Sequence, residues 1–410
     1  MLFQVLKKDI KRISILKVSN ILLKFLVSIL FVRLLGIEAR GIFFKLSQIG
    51  GIVSFFLCLS IGDYFIYNIN RGVENSKLFL KTYLFFTIVI FLVMLGSMFF
   101  LDIENLSLIM FVLIGTNEYL YYSYLKANRR YLNLTFLLLI RSVLLIILLL
   151  FWNASIYYLI FAYGLSSFVM IFAFIFKEYS VLKIGFFKKN ELSKLFKYAK
   201  NVHVNNVFTD FENKSDILII AFFLSPKEIG IYSIVVVLAQ SINNFTNLLT
   251  QTVSPHYKDL SKNMIVSLIK LSMTIAIIFT ITMLVFGGII ITRIYGIIDS
   301  NVYIYLVILS IALIPETLSR VFVTHYKFTE ANNVLSKISI FTAIFNIGLN
   351  LVAIPYYGLY GVVIVSLFSY LIRFFYFYFH FKKQQDISSL WYIFPNLETF
   401  NLIKKKVLKK

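Results

Sequence analysis

Lys24, Lys45, Arg141, Lys214 and Arg320 each lie within a segment long enough to cross a membrane. An ionised side chain at the centre of a bilayer costs about 3 kcal/mol on insertion scales, so such groups face a protein interior or a watery cavity and mark a solute path. A fixed ammonium or guanidinium there offsets the hydration that an anion loses on entering a low-dielectric slab. Four carboxylates, Glu118, Asp210, Asp216 and Glu316, lie in comparable surroundings and are candidates for ion coupling or gating. His203, His256, His325 and His380 are scattered without metal-ligand spacing, so no metal site is expected. A phosphate-binding glycine loop, a nucleophile elbow and a zinc-protease helix are all missing from the sequence, each of which would have carried a defined chemistry. The expectation is a protein without cofactor, driven by a proton or sodium gradient or by the gradient of its own substrate.

The neighbours of these charges say how each could be held. Lys17, Asn20, Lys24 and Ser28 recur at spacings of three and four and share one helix face. Lys24 sits near mid-span, roughly 16 Å from either end by the helix rise, beyond the reach of its own side chain. Lys45 has Gln48 one turn on. Arg141 stands in Leu137–Leu145 with no local polar face, which leaves a lumen cation or an interhelical salt bridge; Glu118, beside Asn117, is the candidate partner. Lys200–Phe223 is the most polar of the membrane segments. At 100° per residue, His203, Asn206, Asp210, Asn213 and Lys214 fall on one arc, and Asn205, Thr209, Glu212 and Asp216 on another. Asp210 and Lys214 are an i, i+4 pair able to neutralise each other. Pro315 precedes Glu316, with Arg320 one turn later; a proline inside a helix frees a carbonyl and bends it. Arg373 and Lys270, near helix ends, are expected to snorkel to the interface.

The elements that must position these residues follow from composition. Of 410 residues, 60% are hydrophobic and only 14% charged, far from the balance of a soluble domain. Apolar runs of roughly 20 residues, each enough to cross about 30 Å, recur from end to end. They predict an all-α polytopic membrane protein with about twelve spans, near 13–35, 41–63, 78–100, 106–125, 132–152, 155–176, 200–223, 229–255, 266–290, 303–325, 335–354 and 358–381. The net charge of +21 resides in short basic clusters between spans, which points to topology and anionic lipid and away from nucleic acid. With both termini cytoplasmic, most Lys and Arg residues fall on the cytoplasmic side, as the positive-inside rule requires. The first apolar segment is too long for a signal peptide and is expected to stay as a transmembrane helix. Cys58 is the only cysteine, so no intramolecular disulfide can form.

The longest connection, 177–199, is basic and central. It divides the chain into a six-helix bundle at 1–176, a linker at 177–199, a second six-helix bundle at 200–381 and a basic cytoplasmic tail at 382–410. Leu35-Gly36-Ile37-Glu38-Ala39-Arg40-Gly41-Ile42-Phe43 lies 189 residues before Leu224-Ser225-Pro226-Lys227-Glu228-Ile229-Gly230-Ile231-Tyr232. Leucine, glycine, isoleucine and an aromatic recur in register at the outer turn between the first two spans of each half. The expected architecture is therefore two six-helix bundles related by a pseudo-twofold axis along the membrane normal.

The run from Asp216 through Ile229-Gly230-Ile231-Tyr232-Ser233 to Ser254-Pro255, together with Asn346–Gly361, resembles the polysaccharide-export branch of the multidrug/oligosaccharidyl-lipid/polysaccharide (MOP) flippase superfamily, and within it the Wzx-type O-antigen flippases. The resemblance implies two bundles around a central cavity. It also implies an undecaprenyl-diphosphate-linked oligosaccharide, an O-antigen or capsule repeat unit, carried from the inner to the outer leaflet of the bacterial inner membrane. Cations lining the lumen are part of that character, and Lys24, Lys45, Arg141, Lys214 and Arg320 fit it. Since Asp210, Glu212 and Asp216 would repel a diphosphate, the cationic role falls mainly to the first half. Polymerase and chain-length proteins of the same pathway would be partners, beside membrane lipids. Rival readings are a drug or cation antiporter, a peptidoglycan-precursor flippase, and an O-antigen polymerase. The short outer connections, the longest near Tyr295–Val302, speak against the enzyme.

Overall fold

The computed structural model describes residues 2–70, 102–128, 130–151, 155–164, 216–243, 262–328 and 332–385, with a few single residues besides. Among them the regular structure is helical: α1 (Leu2–Leu57), α2 (Ile61–Asn70), α3 (Ile103–Ala127), α4 (Tyr131–Phe151), α5 (Pro226–Ala239), α6 (Lys262–Ile289), α7 (Ser300–Phe328) and α8 (Asn332–Gln385). Short helical stretches at 156–164 and 216–223 complete the set. Among the described residues, four stretches are long and apolar enough to cross a membrane: Val18–Leu57, Ile265–Tyr295, Ser300–Tyr326 and Lys337–Lys383. The linker 177–199, the tail beyond 385, and Asp210 and Lys214 lie outside the described residues.

The first and last of these stretches are each two predicted spans joined at a glycine. Gly36 (φ 86°, ψ 171°) breaks α1, and Gly358 (φ 54°, ψ −132°) breaks α8. A residue with a Cβ is strained at positive φ, whereas glycine adopts it freely. The second predicted span ends earlier than 63, because Leu59 (φ 45°) and Ser60 (φ 51°) are both left-handed and separate α1 from α2. At its far end α6 widens into a π-helical turn, Ile290–Tyr295, closed by Gly296 at φ 77°.

The chain forms two compact units, residues 1–221 with 225–230, and residues 222–224 with 231–410. In the first unit, Val27, Phe31, Phe43, Leu46, Phe111, Leu113, Leu145 and Leu159 are buried together. Phe43 is its aromatic centre, 4.8 Å from Phe31, 5.1 Å from Phe111 and 6.1 Å from Tyr163 between ring centroids. Small residues bring α1 onto α3: a Cβ at Gly50 would lie 2.5 Å from that of Phe111, and Ser54 Oγ donates to Gly50 O at 2.5 Å or to Val112 O at 2.8 Å. Close backbone approach through small residues is how helices associate where lipid removes the hydrophobic drive. The first turn of α5 also belongs to this unit and lies against α1 at Gly41 and Gly230.

The second unit is built on α6, α7 and α8. Its core joins Ile269, Leu318, Phe322, Tyr326, Phe374, Phe377, Tyr378 and Phe381. Phe322 and Tyr326 stack on Phe377 with centroids 6.3 and 5.6 Å apart. The Tyr326 hydroxyl is 2.9 Å from His380 Nδ1.

Candidate functional site

In the first unit, Arg141 is the only charged residue of α4, so its partners must come from other helices. Its Nη1 forms an ion pair with Glu118 Oε1 of α3, and its Nε donates to the Tyr163 hydroxyl of the 156–164 helix. The guanidinium also lies over the Tyr163 ring, 4.8 Å from the centroid, a cation–π contact. Side-chain exposures of 19% for Arg141 and 23% for Glu118 leave the pair partly wet. Next to it, Ser142 Oγ is 3.0 Å from buried Asn20 Oδ1 and 3.1 Å from Leu138 O, and can donate to either.

Lys24 is one turn along α1 from Asn20 and one turn before buried Ser28. Its side chain is open to solvent although it lies deep among protein atoms, within electrostatic reach of Arg141. No carboxylate is paired with Lys24 among the described residues. Tyr122, one turn after Glu118 on the same face of α3, holds a buried hydroxyl without a hydrogen-bond partner. The arrangement is two cations and one carboxylate, net +1, with the Tyr163 ring under the guanidinium and none of the three charges fully buried. A site of that sign and exposure can hold an anion.

Lys45 pairs elsewhere, 3.5 Å from Glu104 in the first turn of α3, with exposures of 33% and 50%. Asp216 Oδ1 accepts from the Ile217 backbone N–H at 2.8 Å, where the 216–223 helix begins.

The second unit carries its own charge cluster. Glu316 is buried, with Oε1 3.1 Å from Arg320 Nη2 one turn on and Oε2 3.3 Å from Arg373 Nη1 of α8. Arg373 does not snorkel: it is 5% exposed, because the second oxygen of a carboxylate without water needs a donor. The helix passes through Pro315, whose carbonyl accepts from Ser319 Oγ at 2.9 Å. One turn from Arg373, Ser369 Oγ is 3.3 Å from Asn346 Nδ2, and Asn350 Nδ2 donates to Asn346 Oδ1 at 2.9 Å. Thr317 Oγ1 donates to Asn243 Oδ1 at 3.0 Å. Among the described residues no three His, Cys, Asp or Glu gather as metal ligands.

Of the two roles the sequence leaves open for Arg141, the structure shows an ion pair with Glu118, and it pairs Glu316 with Arg320; Tyr163, Tyr122 and the inward Arg373 were missed. Tyrosines are 26 of the 410 residues, so a single hydroxyl carried no signal; Arg373 pairs across 57 residues, beyond any helical period.

A family model described as "Polysaccharide biosynthesis protein" matches residues 6–257, more than half of the chain. The protein belongs to this family. No curated protein sequence matches it. Among solved structures, it is similar to a lipid II flippase, MurJ, in an inward closed conformation, with 14% identity, a TM-score of 0.70, and 97% of this chain and 99% of that one covered. It is also similar to a multidrug resistance MATE family transporter of the MOP superfamily in its inward-facing conformation, with 13% identity, a TM-score of 0.67, and coverage of 92% and 100%. The outward-facing conformation of such a transporter matches at 14% identity and a TM-score of 0.61, covering 93% of this chain and 97% of that one. At these identities the likeness shows the fold, that of MOP superfamily transporters. With the apolar helices, it makes this family member a multi-pass membrane protein.

Proposed function

We propose that this member of the polysaccharide biosynthesis family is a flippase that carries an undecaprenyl-diphosphate-linked repeat unit, of O-antigen or capsule, from the inner to the outer leaflet of a bacterial inner membrane. The observation that carries the reading is the partly exposed, net-positive cluster of Lys24, Arg141 and Glu118 within a largely apolar unit. A diphosphate loses hydration on leaving water, and fixed cations offset that loss. The lipid tail stays in the bilayer while the glycan crosses. Two six-helix bundles rocking about a pseudo-twofold axis would supply alternating access. In this reading both termini are cytoplasmic, no cofactor takes part, and polymerase and chain-length proteins of the same pathway receive the product.

A gene deletion tests it. The expected result is loss of long surface glycan with lipid-linked repeat units held on the inner leaflet. Units gathering on the outer leaflet as single unpolymerised repeats would overturn it. Transport of a peptidoglycan precursor is the second reading, favoured by the similarity to a lipid II flippase; rescue of cell-wall synthesis in a strain lacking its own flippase would select it.

A further inference from the structure

Resting on that reading of the Lys24 and Arg141 cluster, we propose that Glu118 is a resident counter-ion that holds the place of the substrate's phosphate and moves to the Tyr122 hydroxyl when the substrate arrives. Three observations converge on it. First, the Arg141 guanidinium is already engaged by Glu118 and Tyr163, so an incoming phosphate must displace an anion to reach it. A guanidinium donates to carboxylate and phosphate oxygens in the same geometry, which makes the two competitors for one seat. Second, the displaced carboxylate needs a donor, because a carboxylate only 23% exposed gains little from solvent. Tyr122 holds a buried hydroxyl without a partner, and it stands four residues after Glu118 on the same helix. Residues at that spacing have Cβ atoms roughly 5–6 Å apart, within reach of both side chains. An orphan hydroxyl one helical turn from a paired carboxylate is the arrangement expected of the second seat of a two-position switch.

Third, the charges sum in a way that favours turnover. Lys24, Arg141 and Glu118 give +1 in the unloaded site. A diphosphate diester bearing two negative charges takes the loaded site to −1, with Glu118 still ionised on Tyr122. The retained carboxylate therefore repels the bound diphosphate and opposes trapping, as transport requires a site favourable to enter and weak enough to leave. Glu118 gives up affinity for release, and no bond is made or broken.

Inorganic pyrophosphate, titrated into the purified full chain in nanodiscs by calorimetry, tests the exchange. Glu118→Gln removes the competing anion and is expected to bind pyrophosphate about tenfold tighter than wild type, the ratio that corresponds to 1.4 kcal/mol, while flipping of the lipid-linked unit slows. Tyr122→Phe removes the second seat and is expected to bind several-fold more weakly at unchanged thermal stability, since it deletes a hydroxyl that bonds to nothing in the unloaded state. Glu118→Gln binding no tighter than wild type, or Tyr122→Phe binding equally well, overturns the exchange; if the Gln variant does not fold, the Phe variant decides alone. A failure of the underlying reading looks different: Lys24→Gln and Arg141→Gln would then bind pyrophosphate as wild type does, or neither wild type nor Glu118→Gln would bind it.

Discussion

Gly41 packs directly onto Pro226: a Cβ at position 41 would overlap the Pro226 carbonyl oxygen. The contact is reciprocal, since a Cβ at Gly230 would overlap the carbonyl oxygen of Ile37. Ile37 and Gly41 correspond to Pro226 and Gly230 in the register that relates Leu35–Phe43 to Leu224–Tyr232. Each member thus contacts the other's counterpart, as self-complementary contacts between like segments do. Backbone meets backbone here, so no rotamer change can relieve an added side chain.

Gly41→Val and Gly230→Val are therefore expected to lower stability by about 1–3 kcal/mol or more, the cost of overpacking a close contact. Gly51→Ala is the control: it lies on the same helix with nothing within 4 Å of its missing Cβ, and alanine in a helix is better by about 0.5–1 kcal/mol. Thermal unfolding of the purified protein in detergent reads all three. Equal melting temperatures for Gly41→Val and Gly51→Ala would show that α1 and α5 do not pack as described.

The Glu118 and Arg141 pair should behave as a unit. Either residue changed alone to Gln leaves an ion without its partner, which in a partly wet site costs about 2 kcal/mol. The double change Glu118→Gln with Arg141→Gln removes both charges and is expected to be more stable than either single variant. A thermodynamic cycle gives the coupling directly; additive losses would mean that the two side chains do not share an ion pair.

How much of this was legible in the chain depended on range. The breaks at Gly36 and Gly358 lie where apolar runs stop and a small residue stands, so the paired spans could be read locally. Arg141 announced a partner because nothing on its own helix could neutralise it, and Glu118 was the nearest carboxylate on a neighbouring span. Arg373 misled for the same kind of reason: its position near a helix end implied an aqueous exit. In the fold its guanidinium turns inward because Glu316, buried after Pro315, has a second oxygen to satisfy. That demand originates on a different helix and leaves no local trace.

Glu316 should accordingly be the most sensitive charged position in the second unit. Glu316→Gln removes the carboxylate that two guanidinium groups share, and about 3–5 kcal/mol of destabilisation is expected for breaking a buried pair. Arg320→Gln is expected to cost less, since the Arg320 side chain is 32% exposed and Glu316 keeps Arg373. Urea or thermal unfolding ranks the two variants; a milder effect for Glu316→Gln would refute the bridging role of this carboxylate.

Lys24 separates stability from transport more cleanly than any other residue in the site. It is open to solvent and has no carboxylate partner among the described residues, so the fold gains little from its charge, and Lys24→Gln should change stability by no more than about 0.5 kcal/mol. Under the proposed function, Arg141 would then face the substrate's diphosphate alone. Losing one of two cations near a doubly charged group in a partly desolvated site should cost about 1–3 kcal/mol, which is roughly a fivefold to 150-fold drop in the transport rate at limiting substrate. Lys45→Gln is a useful contrast, because its pair with Glu104 is exposed on both sides and is worth about 0–1 kcal/mol to the fold. Export of lipid-linked units into proteoliposomes, measured with protein level and melting temperature held alongside, checks the assignment. If Lys24→Gln exported at the wild-type rate, the substrate path would not run past the Lys24 and Arg141 cluster.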